Sequence, residues 1–328
     1  GMGSGKWEAL SAQAQQAVRS AGLVFGAKRL LAGLPADCTA RQFALYQPAD
    51  ILETLAQNPG QDAAVLYSGD TGFYSGASGL LTPLRALGIP YAGLFGACST
   101  MAEALGLGAA LCSAGMADGL LAMSSSHFCA AERQFRTPLS YGAVRTPTAQ
   151  WTATAAGACL LRPAGPGVGI RAVTFGRVQD YQIKDINNMG AAMAPAAAAT
   201  LLHYLRDTHS EPQDFDTIYT GDLGHVGSQL FRELLAAEGL LLKNHVDCGC
   251  ILYDAEAQSV KSGGSGAGCC AAVLCAHILP RLERGTQKRL LFLATGALMS
   301  QTTFLQKESI PAIAHLVELW APKKEGTA

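Results

Sequence analysis

The sequence has few charged residues, and neither sign of charge dominates. Only 15% of the 328 residues are charged, and 24 basic residues face 25 acidic ones, for a net charge of −1. No basic stripe supplies the phosphate neutralisation that nucleic-acid binding needs, so we expect no nucleic-acid partner. Apolar residues make up 49% of the chain, which excludes a disordered protein and indicates extensive burial, with an oligomer interface as one place for it.

Long apolar runs are also missing from the sequence. No stretch approaches the roughly 18 to 20 uninterrupted apolar residues that a membrane span needs, so we expect no transmembrane segment. The sequence remains compatible with a protein that sits on a membrane through its partners.

The ten cysteines lack the spacing of a zinc site. Cys248-Gly-Cys250 and the adjacent pair Cys269-Cys270 do not have the two-residue gap that lets two thiolates chelate one tetrahedral zinc ion. We therefore expect no metal site, and free buried cysteines in a reducing compartment.

Apolar runs of strand length alternate with helical stretches rich in Ala and Leu. This alternation predicts a layered α/β fold with a mostly parallel sheet. The predicted strands are Ala63–Tyr67, Tyr91–Phe95, Gly119–Met123, Ala158–Leu161, Thr217–Thr220, Cys250–Tyr253 and Arg289–Ala294. The predicted helices are Trp7–Ser20, Ala49–Leu55, Thr100–Ser113, Ala196–His209, Gln229–Glu238 and Ala271–Arg284.

The two halves of the chain share one pattern: a glycine-rich turn, a helix of small residues, then a buried strand. In the first half Cys98 precedes Asp118 by 20 positions, and in the second Cys269 precedes Lys288 by 19. A duplicated α/β unit is the simplest explanation. The glycines and prolines around Gly165–Gly169 predict a hinge between the halves.

Cys98 is the sharpest chemical feature of the sequence. It lies in Phe95-Gly-Ala-Cys-Ser-Thr, after a predicted strand and at the start of a predicted helix. Unsatisfied N–H groups and the helix dipole at such a position favour a thiolate, which predicts a reactive cysteine. A small buried residue in a tight turn is an equally good interpretation of the same motif.

Several motifs recur together, in this order, in one known family. They are Gly96-Ala-Cys98-Ser, Ser124-Ser-Ser-His127 with Glu132-Arg-Gln-Phe-Arg136, Asn188-Met-Gly-Ala-Ala-Met-Ala-Pro195, Thr220-Gly-Asp222-Leu-Gly-His-Val-Gly-Ser228, Gly263-Gly-Ser-Gly266, Thr295-Gly-Ala-Leu-Met-Ser300 and Lys307-Glu-Ser-Ile-Pro-Ala-Ile-Ala-His315. From about Leu87 to His315 the chain resembles the stage V sporulation protein AD family, thiolase-fold proteins of spore-forming bacteria.

The resemblance carries several implications. It implies a five-layered α/β/α/β/α fold with two pseudo-repeated halves, and binding of dipicolinic acid (pyridine-2,6-dicarboxylate) for uptake into the developing spore. It also implies a peripheral place on the cytoplasmic face of the spore inner membrane, beside other membrane-associated sporulation proteins. A homodimer is expected, because this fold class usually pairs edge strands and the chain is unusually apolar.

The wider thiolase-like class, typified by ketoacyl synthase III, uses a cysteine nucleophile together with a His and an Asn. Cys98 matches the nucleophile. Where the His is expected the chain has Thr220-Gly-Asp222-Leu, and where the Asn is expected it has Gly263-Gly264. An ionised Asp repels a thiolate and donates nothing, and Gly has no side chain, so the donors for Claisen chemistry are lost. His225 falls a few residues late. We expect a degenerate site that binds an anion; acyl transfer by Cys98 is the alternative.

A dianionic ligand needs cationic or hydrogen-bonding partners on an otherwise apolar wall. His127 and Arg136, near the end of a serine-rich strand, are the first candidates, with a core histidine and a structural salt-bridge arginine as the alternatives. Asn188 and Ser265 lie on turns that can approach a ligand or serve only as turns. Asp222 can orient a cation or cap a helix.

Residues 1–86 resemble a different family. Gly22–Leu31 and Leu66–Ser75 are similar to precorrin-6Y C5,15-methyltransferase, in which the second segment helps to hold S-adenosylmethionine. Thr71 replaces a proline of that motif, and the first strand with its glycine-rich turn is missing. We therefore expect no methyl transfer and no cofactor. The predicted organisation is a segment 1–86 that supplies the first strands, followed by thiolase-like halves at 87–165 and 166–328.

Overall fold

The computed structural model describes residues 7, 12–45, 48–58, 63–66, 90, 92–129, 145–254 and 256–322. The chain divides into two compact units, Gly1–Gly93 and Leu94–Ala328. Within the described residues, no helix combines the length and apolar character needed to cross a membrane.

The first unit contains a small parallel sheet with helices on both faces. Strand β1 (Leu23–Gly26) lies between β2 (Arg41–Phe43) and β3 (Ala63–Leu66). Alternate side chains of a strand point to opposite faces: Leu23 and Phe25 pack with Ile51, whereas Val24 packs with Val18 and Leu30. The helices that supply these contacts are α1 (Ala12–Ser20), α2 (Lys28–Leu31) and α3 (Pro48–Ala56).

The second unit is built on a five-stranded mixed sheet. Its strands, in spatial order, are β7 (Gly169–Thr174), β12 (Ala312–Trp320), β11 (Arg289–Ala297), β8 (Thr217–Thr220) and β9 (His245–Asp247). β11 runs parallel to β8, and β8 parallel to β9, whereas β12 is antiparallel to both β11 and β7. The prediction of a mostly parallel sheet is therefore wrong for β12. The link between β11 and β12 holds only a five-residue helix, too short to carry the chain back along the sheet.

Two further strand pairs belong to this unit. β4 (Leu120–Ser126) pairs antiparallel with β6 (Ala155–Leu161). The short strand β5 (Trp151–Thr152) pairs in parallel with β10 (Gly264–Ser265), which brings the glycine-rich turn of the second half beside residues of the first.

Helices lie on both faces of the five-stranded sheet. In its described residues the unit contains α4 (Thr100–Ser113), α5 (Met189–Thr208), α6 (Gly224–Ala237), α7 (Cys248–Leu252), α8 (Ala267–Val273), α9 (Leu279–Glu283) and α10 (Gln301–Leu305). Helices α4 and α8 lie between this sheet and the β4–β6 pair, and α5 and α6 cover its other face. The α/β class is confirmed, and the described residues contain four of the expected five layers.

The apolar run of β11 explains this layering. Leu290, Phe292 and Ala294 point towards α4 and α8, while Leu291 and Leu293 point towards α5 and α6, and all five are fully buried. A strand covered on both faces has an unbroken apolar sequence instead of an alternating one.

The predicted elements were mostly confirmed, with two exceptions among the strands. Cys250–Tyr253 was predicted as a strand, but Cys248–Leu252 is a helix, because the Asp247 side chain accepts a hydrogen bond from the Cys250 N–H and caps it. Of Tyr91–Phe95, the described residues 92–95 form no strand, and Tyr91 lies outside the described residues. The helix predicted from Ala196 begins earlier, at Met189, with Pro195 inside it.

Helices α5 and α6 cross at a glycine contact. A Cβ atom on Gly190 would lie 2.6 Å from the carbonyl oxygen of Leu223 and 2.9 Å from the Cα of Gly227. Both neighbours are backbone atoms that cannot rotate away. The close approach of the two helices therefore requires glycine at this position.

We predict that Gly190→Ala lowers the free energy of unfolding by about 1–3 kcal/mol, because the added methyl group overpacks the crossing. Urea unfolding measures this change. The control is Gly167→Ala, where an added Cβ meets nothing within 4 Å and stability should be almost unchanged. Equal effects of the two substitutions would show that the crossing is not as tight as described.

Candidate functional site

Cys98 lies on one 3-10 turn, Ala97–Ser99, directly before α4. Ala97 has a positive φ of 50°, and the turn is held by Ser99 Oγ, which donates to the Gly96 carbonyl oxygen at 2.6 Å. Thr100 Oγ1 donates to the Ala97 carbonyl oxygen at 2.7 Å. The predicted position of Cys98 at the start of a helix is confirmed.

The Cys98 turn rests against the end of β11 and the start of α8. A Cβ on Gly296 would lie 2.2 Å from the Gly96 carbonyl oxygen, so only glycine permits this approach to the sheet. Cys270 Sγ donates to the Cys98 carbonyl oxygen at 3.5 Å. The glycine-rich motifs of the two halves therefore meet at Cys98.

Asp222, which follows β8, lies at the centre of this meeting point and is fully buried. One carboxylate oxygen accepts hydrogen bonds from Ser265 Oγ at 2.7 Å and from the Gly266 N–H at 3.0 Å. The other oxygen accepts from Thr295 Oγ1 at 2.9 Å. The Cys98 thiol lies close enough to this carboxylate for the two groups to shift each other's pKa. Three predicted site residues, Cys98, Asp222 and Ser265, are thus brought together.

The electrostatics of the contact disfavour a thiolate. Burial, and after it the charge of Asp222, raise the pKa of the Cys98 thiol well above its usual value. Burial also raises the pKa of Asp222, although its hydrogen bonds oppose the shift. These two effects favour a neutral thiol at Cys98, although it lies at a helix start.

A second buried carboxylate, Asp247, holds the Asp222 loop in place. It accepts hydrogen bonds from Thr220 Oγ1 at 2.7 Å and from the N–H groups of Leu223 and Gly224 at 2.9 Å each. Burial raises the pKa of Asp247 to about 6. No sequence motif singled out Asp247. An Asp at the end of a strand and directly before a helix, as here between β9 and α7, is nevertheless a recognisable N-cap signal.

His245 completes a chain of hydrogen bonds to Asp247. Its Nε2 lies 2.8 Å from Thr220 Oγ1. Because the Thr220 hydroxyl donates to Asp247, Nε2 must carry the proton and donate to Thr220. The other ring nitrogen, Nδ1, is buried and has no hydrogen-bond partner within the described residues. Burial lowers the pKa of His245 to about 4.

Gln150 is a further residue that the sequence analysis missed. Its Nε2 donates to the carbonyl oxygens of Asp222 at 2.5 Å and of Gly264 at 3.1 Å. It therefore ties the Asp222 loop to the glycine-rich turn. An amide in an unremarkable loop gives no sequence signal for such a role.

The remaining candidates lie around this centre. His127 follows β4 and is partly exposed; its Nδ1 accepts a hydrogen bond from the Cys129 N–H at 3.2 Å. Ser126, the residue before it, accepts a hydrogen bond at its Oγ from the Gly268 N–H at 2.9 Å, so the backbone of His127 lies close to the glycine-rich turn. Asn188, expected on a turn, is the N-cap of α5, where its Oδ1 accepts from the Ala191 N–H at 3.3 Å. Arg136 lies outside the described residues.

We predict that Asp222→Asn speeds the alkylation of Cys98 by iodoacetamide at pH 8 by severalfold. The substitution removes the negative charge beside the thiol, and an amide can still accept from Ser265 and donate to Thr295. Peptide mass spectrometry gives the rate for each cysteine. The exposed Cys129 is the control and should react equally in both proteins. Parent Cys98 reacting as fast as Cys129 would contradict a neutral, partly buried thiol.

We also predict a pH-dependent stability term from His245. Between about pH 4 and pH 6.5 the unfolded chain binds a proton at this histidine and the folded chain does not, so its contribution to stability rises with pH. The His245→Gln variant lacks this rise, which amounts to about 3 kcal/mol at most. Urea unfolding at several pH values measures the difference from the parent protein. In contrast, His225→Gln, at an exposed position, should follow the parent curve.

The sequence was compared with known protein families and proteins, and it matches one family over most of its length. The family model of stage V sporulation protein AD matches residues 61–320. The stage V sporulation protein AD of Bacillus subtilis (strain 168) is 43% identical over 232 residues, which are 70% of this chain and 68% of that protein. The family match begins well before Leu87, where the sequence motifs were expected to start, and it includes β3.

Several solved structures resemble the chain in fold. The tetronic acid condensing enzyme AbyA1 is 17% identical, with 74% of this chain and 70% of that chain covered and a TM-score of 0.44. The 3-oxoacyl-[acyl-carrier-protein] synthase III of Aquifex aeolicus VF5 is 12% identical, with 93% and 78% covered and a TM-score of 0.42. OleA of Xanthomonas campestris is 11% identical, with 92% and 74% covered and a TM-score of 0.45. Likenesses of this size carry no inference about activity.

Proposed function

This chain belongs to the stage V sporulation protein AD family, and from that premise we propose that it binds dipicolinic acid and takes part in its uptake into the developing spore. It does so as a binding protein, without running an acyl-transfer reaction. The observation that carries the proposal is the buried carboxylate of Asp222, which accepts hydrogen bonds from Ser265, Gly266 and Thr295 beside the Cys98 thiol.

Acyl transfer needs a thiolate and donors for an oxyanion. Here burial and the charge of Asp222 both oppose the ionisation of Cys98. An ionised Asp222 cannot donate to an oxyanion, and Gly264 offers no side chain where the enzymes have an amide. The centre is therefore built to keep a cysteine neutral.

The ligand's carboxylates must meet groups other than Asp222. The Asp222 carboxylate already accepts hydrogen bonds from Ser265, Gly266 and Thr295, and it would repel a second anion. We assign the cationic role to Arg136 and a hydrogen-bond-donating role, through its Nε2–H, to His127, whose Nδ1 already accepts from the Cys129 N–H. Both residues follow β4 in the sequence. Cys98 then serves as a small, soft part of the wall.

The proposal includes a place and partners. We place the protein on the cytoplasmic face of the spore inner membrane, as a peripheral homodimer beside other membrane-associated sporulation proteins. The family supports this placement, and the apolar composition of 49% supports the dimer. Light scattering tests the dimer, and a monomer over a wide concentration range would count against it.

We predict that Arg136→Ala and His127→Ala weaken dipicolinate binding strongly, whereas Cys98→Ala weakens it only slightly. An unpaired carboxylate in a desolvated site costs about 2–5 kcal/mol, while loss of a thiol removes a few weak contacts. Isothermal titration calorimetry measures each affinity. Arg284→Ala, at an exposed position, is the matched control and should bind as the parent does. Normal binding by both Arg136→Ala and His127→Ala would refute the pocket.

A ketoacyl synthase III-like acyltransferase is the second candidate. Its supporting observation is the placement of Cys98 at a helix start, with the Gly266 N–H near the sulfur opposing the rise in its pKa. Incubation with an acyl-CoA followed by intact-mass measurement separates the two functions. The binding function predicts no thioester; a thioester that forms in the parent and is lost in Cys98→Ala would establish the enzyme.

A further inference from the structure

Two cysteines outside the Asp222 centre lie with their sulfur atoms close together. Cys159 is on β6 and Cys275 is on a π-helical turn, Leu274–Ile278, that follows α8. Their Sγ atoms are 3.9 Å apart, and both residues are partly exposed. By contrast, Cys248, Cys269 and Cys270 are buried.

The packing of β6 against α8 explains this proximity. A Cβ on Gly157 would lie 2.5 Å from the Ala271 carbonyl oxygen, so strand and helix touch here through their backbones. Cys159 lies two residues further along the strand and Cys275 four residues further along the helix. Side chains two residues apart on a strand, or four apart on a helix, lie on the same face. Cys159 and Cys275 therefore lie on the faces of β6 and of the helix that touch each other.

Either thiol can donate the hydrogen bond that joins the pair, and the acceptor is then the easier of the two to ionise. Cys275 Sγ also donates to the Ala158 carbonyl oxygen at 3.7 Å. A thiolate with a second thiol in reach is the arrangement in which a disulfide forms readily.

We propose that Cys159 and Cys275 form a reversible dithiol–disulfide site that is oxidised by hydrogen peroxide. The sulfur of one cysteine attacks one peroxide oxygen, the O–O bond breaks, and sulfenic acid and water result. The sulfur of the other cysteine then attacks the sulfenic sulfur, the S–OH bond breaks, and a second water leaves as the disulfide forms. In total, two thiols lose two electrons and two protons, and one peroxide is reduced to two waters. Two low-molecular-weight thiols reverse the change.

The disulfide joins β6 to the helix that begins at the glycine-rich turn. The N–H of Gly266, the residue before α8, donates to Asp222, so the link fixes an element on which the Asp222 centre depends. The inference itself does not rest on the proposed ligand, because it concerns only the two thiols and their neighbours.

The test is peptide mapping of the full chain after treatment with hydrogen peroxide. We expect a cross-linked peptide pair containing Cys159 and Cys275, lighter by about 2 Da than the two reduced peptides and restored by dithiothreitol. The parent protein alone decides this point, so it does not depend on the folding of any variant. Oxidation of other cysteines, with Cys159 and Cys275 both remaining reduced, would overturn the proposal.

Single variants test whether the two cysteines react with each other. With Cys159→Ser or Cys275→Ser, the sulfenic acid on the remaining cysteine has no partner and should be trapped by dimedone. No dimedone labelling of the remaining cysteine in either variant would overturn the two-step route. Cys129→Ser removes an exposed cysteine and is the matched control, which should form the cross-link as the parent does.

Discussion

The buried carboxylate of Asp222 is the interaction on which the site depends. It gathers hydrogen bonds from Ser265, Gly266 and Thr295 and contacts the thiol of Cys98. Removing a carboxylate from water is costly unless such donors surround it, so the segments that carry them must stay together. The ends of β8 and β11, the glycine-rich turn and the start of α4 are therefore fixed around one side chain.

This carboxylate also determines what the cysteine can do. A cysteine at the start of a helix is placed for reactivity, and a neighbouring anion cancels that advantage because it raises the free energy of the thiolate. Asp247 is a second buried carboxylate beside this centre. It holds the Asp222 loop because it accepts hydrogen bonds from the N–H groups of Leu223 and Gly224. The start of α4 thus holds a neutral thiol.

Particular elements show where sequence patterns succeed and fail. Helix α4 was predicted with its observed ends, Thr100 and Ser113, because small residues and a polar start indicate a helix locally. Strand β12 was missed, since it carries His315 and Glu318 among apolar residues. Glu318 is buried because Tyr204 Oη donates to it at 2.8 Å and Arg289 Nε at 2.6 Å, and these partners come from other elements.

The sequence by itself determined the α/β class, the family and the place of Cys98 before a helix, because periodicity and short motifs are local properties of the chain. The tertiary structure alone decided that Asp222 touches Cys98, that Asp247 and His245 support it, and that Cys159 faces Cys275. Asp222 and Ser265 are 43 positions apart, and Cys159 and Cys275 are 116 apart. Contacts over such separations follow from how strands and helices pack around β11, and no local pattern records them.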